Sequence, residues 1–199
     1  MQERLLGFEN NEKLNSYLFY ALVCAVLACV LFLTTSVFVL VKVEGSSMNN
    51  TLVDGDVVFI NKLAKYERGD IIVAENPDPK KASLGEMVIK RVIAIGGDEV
   101  KCENGKVYVK YSGESEFVEL KEDYLSVQTP PFPQLKIDDG FVFVLGDNRP
   151  ISQDSKIYGP IEGNKIKGVV LNSSVKNKKV TTALFGWTFN LSRKFKGNL

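Results

Sequence analysis

A glycine and two serines stand together in Val43-Glu44-Gly45-Ser46-Ser47-Met48-Asn49-Asn50-Thr51-Leu52, directly after an apolar run long enough to cross a bilayer. Such a small-residue turn can present a hydroxyl as a nucleophile. The chain has no histidine, which excludes Ser-His-Asp and Cys-His arrangements together. A serine attacks well only when a base takes its proton, and the bases left are lysine and carboxylate. Ser47 is the candidate nucleophile. Lysine can be its base only where apolar burial disfavours the ammonium. Lys90 fits that condition better than the other lysines: it lies in Glu86-Met87-Val88-Ile89-Lys90-Arg91-Val92-Ile93-Ala94-Ile95, where a period of two puts Val88, Val92 and Ala94 on its own face. The same pattern also suits a lysine that guards a strand edge against aggregation. A third segment, Gly146-Asp147-Asn148-Arg149-Pro150-Ile151-Ser152-Gln153-Asp154-Ser155-Lys156-Ile157-Tyr158-Gly159-Pro160, consists largely of turn formers. It nevertheless gathers hydrogen-bonding groups immediately behind the most apolar strand of the body.

The elements that must position these residues follow from composition and pattern. The 199 residues allow one modest domain plus an anchor, with an apolar fraction of 45% and a net charge of +1. That charge gives no reason to expect nucleic acid as a partner. Cys24 and Cys29 lie inside the apolar run and Cys102 stands alone, so neither a metal site nor a disulfide of the body is expected. Residues 17–41 carry no charge and exceed the ~20 positions that span hydrocarbon. The run is too long, and too poor in small residues at its exit, for a cleavable signal sequence. We expect a transmembrane anchor over 17–38, a cytoplasmic N-terminus over 1–16, and a strand leaving the membrane towards Ser47. The alternative for this run is a buried core helix.

Beyond Lys42 the pattern is mostly strand. Val57-Val58-Phe59-Ile60, Ile71-Ile72-Val73-Ala74, the run from Val88 to Ile95, and Phe141-Val142-Phe143-Val144-Leu145 are β-branched or apolar and bounded by Gly and Asp. Asn104-Gly105 between two short apolar segments predicts a two-residue hairpin. Asn76-Pro77-Asp78-Pro79-Lys80-Lys81 and Thr129-Pro130-Pro131-Phe132-Pro133 read as loops. The fold class expected is therefore mainly β with little helix: a core over 39–98 and 141–175, with a more polar inserted lobe over 99–140. In the final segment, 176–199, Lys176, Lys178, Lys179, Arg193, Lys194 and Lys196 flank Leu184-Phe185-Gly186-Trp187-Thr188-Phe189. That composition suits either a headgroup interface or a last strand with a frayed basic tail.

Gly45-x-Ser47-Met48-x-x-Thr51-Leu52, Leu52-Val53-Asp54-Gly55-Asp56, Arg68-Gly69-Asp70-Ile71, Lys90-Arg91-Val92-Ile93 with Gly97-Asp98, and Gly146-Asp147-Asn148-Arg149-x-x-Ser152-x-Asp154-Ser155 occur in one order across nearly the whole chain. In that order and spacing the chain resembles the type I signal peptidases, membrane-bound Ser-Lys endopeptidases, in their short single-anchor bacterial form. The resemblance implies a catalytic domain of coiled antiparallel sheets outside the cytoplasm, on a single-pass anchor in the cell membrane. It implies Ser47 as nucleophile and Lys90 as general base, with the Ser47 backbone N–H donating to the oxyanion. It further implies Ser152 hydrogen-bonded to the Lys90 amine, and ion pairs from Asp147 with Arg91 and from Asp154 nearby.

The partners implied are preprotein signal peptides and the lipid bilayer, with no metal and no organic cofactor. Small side chains at the first and third positions before the cut would enter shallow pockets lined by Val43, Met48, Leu52, Val88 and Ile89. Two departures stand out: Asn50 occupies a position where the family usually has proline, and Lys156 one where arginine is common. Gly45 also lacks the hydroxyl that some members place two residues before the nucleophile. Two rivals are soluble self-cleaving Ser-Lys repressor proteases, which lack an anchor, and a membrane-tethered assembly factor that kept the fold and lost catalysis. Ser173-x-x-Lys176 lacks the companion motifs of penicillin-binding chemistry.

Overall fold

The computed structural model describes the backbone of residues 2–77 and 87–196. Its contacts divide it into two compact units, Met1–Phe38 and Val39–Leu199.

The first unit is one helix, α1 (Gln2–Val37). Within it Leu14–Phe32 has a mean hydropathy of 2.1 over 19 residues, and none of that stretch is buried. The helix is long and apolar enough to cross a membrane, and it satisfies its own backbone groups as hydrocarbon requires. It begins well before residue 17, where three Glu and three Leu with single Gln, Arg and Lys residues, all good helix formers, outnumber Asn and Gly. The helix also runs on through Thr34-Thr35-Ser36 to Val37. The Ser36 hydroxyl donates to the Phe32 carbonyl at 2.8 Å, so the polar side chain bonds back along the turn it occupies.

The second unit runs through β1 (Phe38–Lys42), β2 (Val57–Asn61), β3 (Ile71–Glu75), β4 (Met87–Ile95), β5 (Glu99–Glu103), β6 (Lys106–Lys110), β7 (Val118–Glu119), β8 (Phe132–Lys136) and β9 (Phe141–Leu145). It closes with α2 (Ser155–Tyr158), β10 (Ile161–Glu162), β11 (Ile166–Val170), α3 (Asn172–Lys176) and α4 (Lys178–Lys196). A seven-stranded sheet takes the order β1-β2-β11-β3-β4-β9-β10, and a four-stranded sheet the order β7-β6-β5-β8. The expected runs at 57, 71, 88 and 141 are strands, and the pairs around β4 are antiparallel. The Asn104-Gly105 turn closes the β5–β6 hairpin with positive φ at both residues, 51° and 78°, the pairing of signs that matches strand twist.

Apolar residues of β3, β4, β9, β10 and β11 form one cluster, including Ile72, Val88, Val92, Val144, Ile161 and Val169. A second joins Val43, Met48 and Leu52 to Val58, Ile60, Ile71, Val73 and Val170. The four-stranded sheet shares a third with β4 and β9, through Val100, Val107, Val109, Ile93, Phe143 and Leu145.

Two expectations change, and a third lies mostly outside the described residues. The loop expected through Pro133 is shorter, because β8 starts at Phe132 and holds Pro133. Proline is tolerated there because β8 is an edge strand. The loop expected over 76–81 is described only as far as Pro77; Asp78, Pro79, Lys80 and Lys81 lie outside the described residues. The C-terminal segment is not a strand with a frayed tail but helical through α3 and the 19-residue α4. Phe185 of α4 packs edge-on against Phe59 of β2 at 5.6 Å, and the Val57 N–H donates to Thr182 Oγ1 at 2.9 Å. Tertiary burial of one helix face thus overrides a sequence rich in β-formers. The side chains of Trp187, Arg193, Lys194 and Lys196 lie outside the described residues.

Ile72 is fully buried and pairs directly with Lys90 across β3 and β4. Ile72→Ala is expected to lower unfolding free energy by about 2–5 kcal/mol, read by urea denaturation of the detergent-solubilised protein.

Candidate active site

The turn that carries Ser47 is pinned at both ends. Val43 exchanges backbone bonds with the 55–56 turn: its N–H donates to Asp56 O at 2.8 Å, and its carbonyl accepts from Gly55 N at 2.9 Å. The Gly45 N–H donates to Asp54 Oδ1 at 2.8 Å, with Gly45 at a φ of 85° that its missing Cβ permits. Met48 and Leu52 then drive into the β2–β3 cluster at 1% and 0% exposure. Leu52 N and Thr51 N both donate to the Met48 carbonyl, at 2.9 and 3.1 Å. The buried apolar pair fixes the turn, and the turn fixes the serine between them and Gly45.

Asn50 closes this turn at a φ of 81°, and its Nδ2 donates to Ser126 Oγ at 2.6 Å. Asparagine is among the few side chains that enter the left-handed region cheaply. Proline, locked near −65°, cannot take this backbone. The departure at position 50 is therefore matched by a different local conformation with its own side-chain tie.

Lys90 sits at 3% exposure in β4, and its Nζ donates to Ser47 Oγ at 2.8 Å. Its register partner Ile72, with Val88 and Val92, belongs to the cluster on that side of the sheet. Ala94 does not: the register slips between Val92 and Ala94, and Ala94 turns into the cluster shared with the four-stranded sheet. Burial pushes the Lys90 amine down from 10.5 to about 8, with Asp154 and Asp147 pulling partly the other way.

Both of those carboxylates are already engaged. Asp147 takes Arg91 Nε at 2.9 Å and Nη2 at 2.6 Å, and accepts from Thr51 Oγ1 at 2.5 Å. Burial opposes the Arg91 charge, yet its hydrogen bond and charge pairing with Asp147 hold the guanidinium above its ordinary value. The same guanidinium lies 3.9 Å from the centre of the Tyr124 ring. Asp154 holds Lys156 Nζ with both oxygens at 2.7 and 2.8 Å and takes the Gly146 N–H at 3.0 Å. Lysine in place of the family's usual arginine thus still closes the pair.

Ser152 departs from expectation. Its hydroxyl is buried and has no hydrogen-bond partner among the described residues, so it does not hold the Lys90 amine here. It is wedged beside Gly146, where an added Cβ would come within 2.1 Å of Ser152 Oγ and 2.5 Å of Ser47 O. Only glycine fits there. The Ser47 carbonyl in turn accepts the Asn148 N–H at 2.9 Å, and Asn148 Nδ2 donates to Ser46 O at 3.1 Å. Those bonds lock the loop after β9 onto the serine turn.

Among the expected pocket residues, Val43, Met48 and Leu52 cluster with Ile89 packed against them. Val88 does not join them: it belongs to the cluster on the Lys90 side, because neighbours in a strand point to opposite faces.

Sequence reasoning quoted Arg149 in a motif without giving it a role, and it missed the residues that Arg149 holds. Arg149 is fully buried; it donates to Glu122 Oε1 at 2.5 Å, Thr129 Oγ1 at 2.6 Å and the Gly146 carbonyl at 3.0 Å. Glu122, Tyr124, Ser126 and Thr129 all come from the stretch between β7 and β8. No motif spacing marks them, and only the rarity of an unpaired buried arginine would have prompted a search for an acid.

Chemically, the arrangement offers a hydroxyl, an amine able to shed its proton near neutrality, and a Ser47 backbone N–H that meets no acceptor among the described residues. Keeping Lys90 charged costs the fold on the order of 3 kcal/mol. That cost is complete below about pH 8 and fades towards 10.5. Lys90→Met is expected to raise stability at pH 7, with the gain shrinking as pH climbs to 10.5, measured by chemical denaturation across pH. Asn50→Pro is expected to lower the melting temperature by several degrees, while Asn50→Gly keeps the unfolding free energy within about 1 kcal/mol of the parent; differential scanning calorimetry separates the two.

The family described as "Signal peptidase, peptidase S26" matches residues 16–173. The chain is 36% identical over 138 residues to a probable signal peptidase I-1 of Synechocystis sp., covering 65% of this chain and 67% of that relative. It is 34% identical over 148 residues to signal peptidase I V of Bacillus subtilis, covering 68% and 84%. A crystal structure of a signal peptidase I from Enterococcus faecalis is 31% identical with a TM-score of 0.45, covering 54% of this chain and 98% of that one. With the match extending over most of its length, the chain belongs to the signal peptidase family, peptidase S26, and is a protein-cleaving hydrolase of the signal peptidase I kind.

Proposed function

We propose that this protein is a membrane-tethered type I signal peptidase that removes signal sequences from translocated preproteins through a Ser47–Lys90 dyad. The observation that carries this reading is the buried Lys90 Nζ at 2.8 Å from Ser47 Oγ, with no carboxylate bonded to the amine among the described residues. In this reading α1 spans the cell membrane over 14–32, with the N-terminus in the cytoplasm and the catalytic body on the extracytoplasmic face. That body comprises a core over 39–98 and 141–175 and a lobe over 99–140.

The substrate's cleavage region adds as an extended strand. β4 supports this: residues 87–90 pair with β3 on one side, whereas β9 joins β4 only from Arg91 onward. The open edge leads straight to Lys90. Val43, Met48, Leu52 and Ile89 then form the floor that limits the flanking side chains to small ones. Neutral Lys90 takes the Ser47 proton as the oxygen attacks the scissile carbonyl. The oxyanion is held by the Ser47 N–H, and Lys90 passes the proton to the leaving amine. Water, deprotonated by the same amine, releases the acyl group and restores the serine. Arg91 and Lys156 keep Asp147 and Asp154 occupied, so that no carboxylate captures the Lys90 proton.

Cleavage of a preprotein by detergent-solubilised enzyme tests the dyad. Ser47→Ala and Lys90→Ala are each expected to lose at least about 10³-fold in kcat/KM while remaining folded by circular dichroism. Because only the neutral amine is a base, wild-type kcat/KM is expected to rise about tenfold per pH unit below about 8 and to level above it. Undiminished cutting by Lys90→Ala, or a rate independent of pH between 6 and about 9, would overturn the assignment.

A further inference from the structure

Helix α4 lies beyond the residues that match the family, and the proposed chemistry does not use it. One face is fixed to the body: Phe185 meets Phe59, Thr182 bonds the start of β2, and Lys178 Nζ reaches Asp56 Oδ2 at 3.1 Å and the Thr51 carbonyl at 2.7 Å. Thr181 is buried on the same side. With that face held, the opposite one has a set direction. It carries Val180 and Leu184, each 58% exposed, with Ala183 also exposed between them. On α4 the exposed Lys179 directly precedes this stripe, and the exposed Lys176 ends α3 just before the helix begins. After Glu162 the chain contains no Asp or Glu at all, so nothing in the C-terminal part offsets these charges within its own segment.

We propose that the outer face of α4 docks on an anionic lipid surface, laying its apolar stripe among the acyl-chain boundary while the flanking lysines meet lipid phosphates. Charge complementarity selects this occupant. An apolar helix stripe bordered by cations, with no acid to repel the phosphates, is the pattern of an interfacial helix, whereas a protein partner of ordinary surface composition gives the lysines no uniform field to meet. Docking would also give the body a second attachment besides α1, bearing on the turn at Thr51 through Lys178. The inference rests on the membrane-tethered reading and adds to it a specific helix and a specific lipid charge.

The chain has one tryptophan, Trp187, so a single reporter can be moved. The full-length protein with Trp187→Phe and Val180→Trp is reconstituted into phosphatidylglycerol or phosphatidylcholine vesicles carrying brominated acyl chains. Tryptophan emission in the phosphatidylglycerol vesicles is expected to shift to the blue and to be quenched. Quenching is expected to fall in phosphatidylcholine and to fall again with Lys176→Glu or Lys179→Glu, by at least about fivefold in surface partitioning per lysine reversed. Absence of quenching in both lipids overturns the proposal, as does quenching indifferent to lipid charge and to the lysine reversals. A blue shift without quenching that grows with protein-to-lipid ratio also overturns it, since a second copy would then cover the stripe. Flotation of the same samples after a carbonate wash reads α1 separately, so failure of the anchor and failure of α4 docking give different results.

Discussion

An amine is held out of water at the point where two loops and a strand converge, and no anion pairs with it among the described residues. Lys90 would recover an ordinary pKa if either nearby carboxylate were free to meet it. Neither is. Asp147 is saturated by Arg91 and Thr51, and Asp154 by Lys156 and the Gly146 N–H. The two acids thus hold the site's loops in place while their charge is absorbed elsewhere. This division explains why a site so rich in ionisable groups leaves its one functional amine close to neutrality.

The scaffold follows from that constraint. Apolar burial of Met48 and Leu52 locates the serine, and the slot beside Gly146 brings the loop after β9 against it. Arg149, fully buried, ties that loop to Glu122 and Thr129 of the stretch before β8. The four-stranded sheet is therefore part of the site's support, sharing a core with β4 and β9. A buried ion pair of this type contributes little net stability, yet losing one partner is costly; its effect is to specify where the loop sits.

Much of this was legible in the residues. The strands at 57, 71, 88 and 141 announced themselves by β-branched runs, the hairpin by Asn104-Gly105, and the Ser47–Lys90 juxtaposition by ordered motifs. The pairing of Arg91 with Asp147 was legible in the same way. Other features were set by tertiary context that no local pattern encodes. A one-residue slip in β4 moved Ala94 off the Lys90 face, and simple alternation split Val88 from the other expected pocket residues. Helix α4 formed where Val, Thr, Phe and Trp argued for a strand, because β2 offered it a surface. The Ser152 hydroxyl has no hydrogen-bond partner among the described residues where a bond to the amine was expected, since a place in a motif does not fix which way a side chain turns. Glu122, Tyr124 and Thr129 carried no signal until the fold brought them beside Arg149 and Arg91.

The left-handed backbone at Asn50 limits how this turn can be exchanged with relatives that carry proline there. A proline introduced alone meets a dihedral it cannot adopt, and it abandons Ser126 on the facing loop. Residues 49–51 and the loop around Ser126 therefore form one transplantable unit. Chimeras that move both pieces together keep the nucleophile in register, whereas those that cut between them inherit half of a latch.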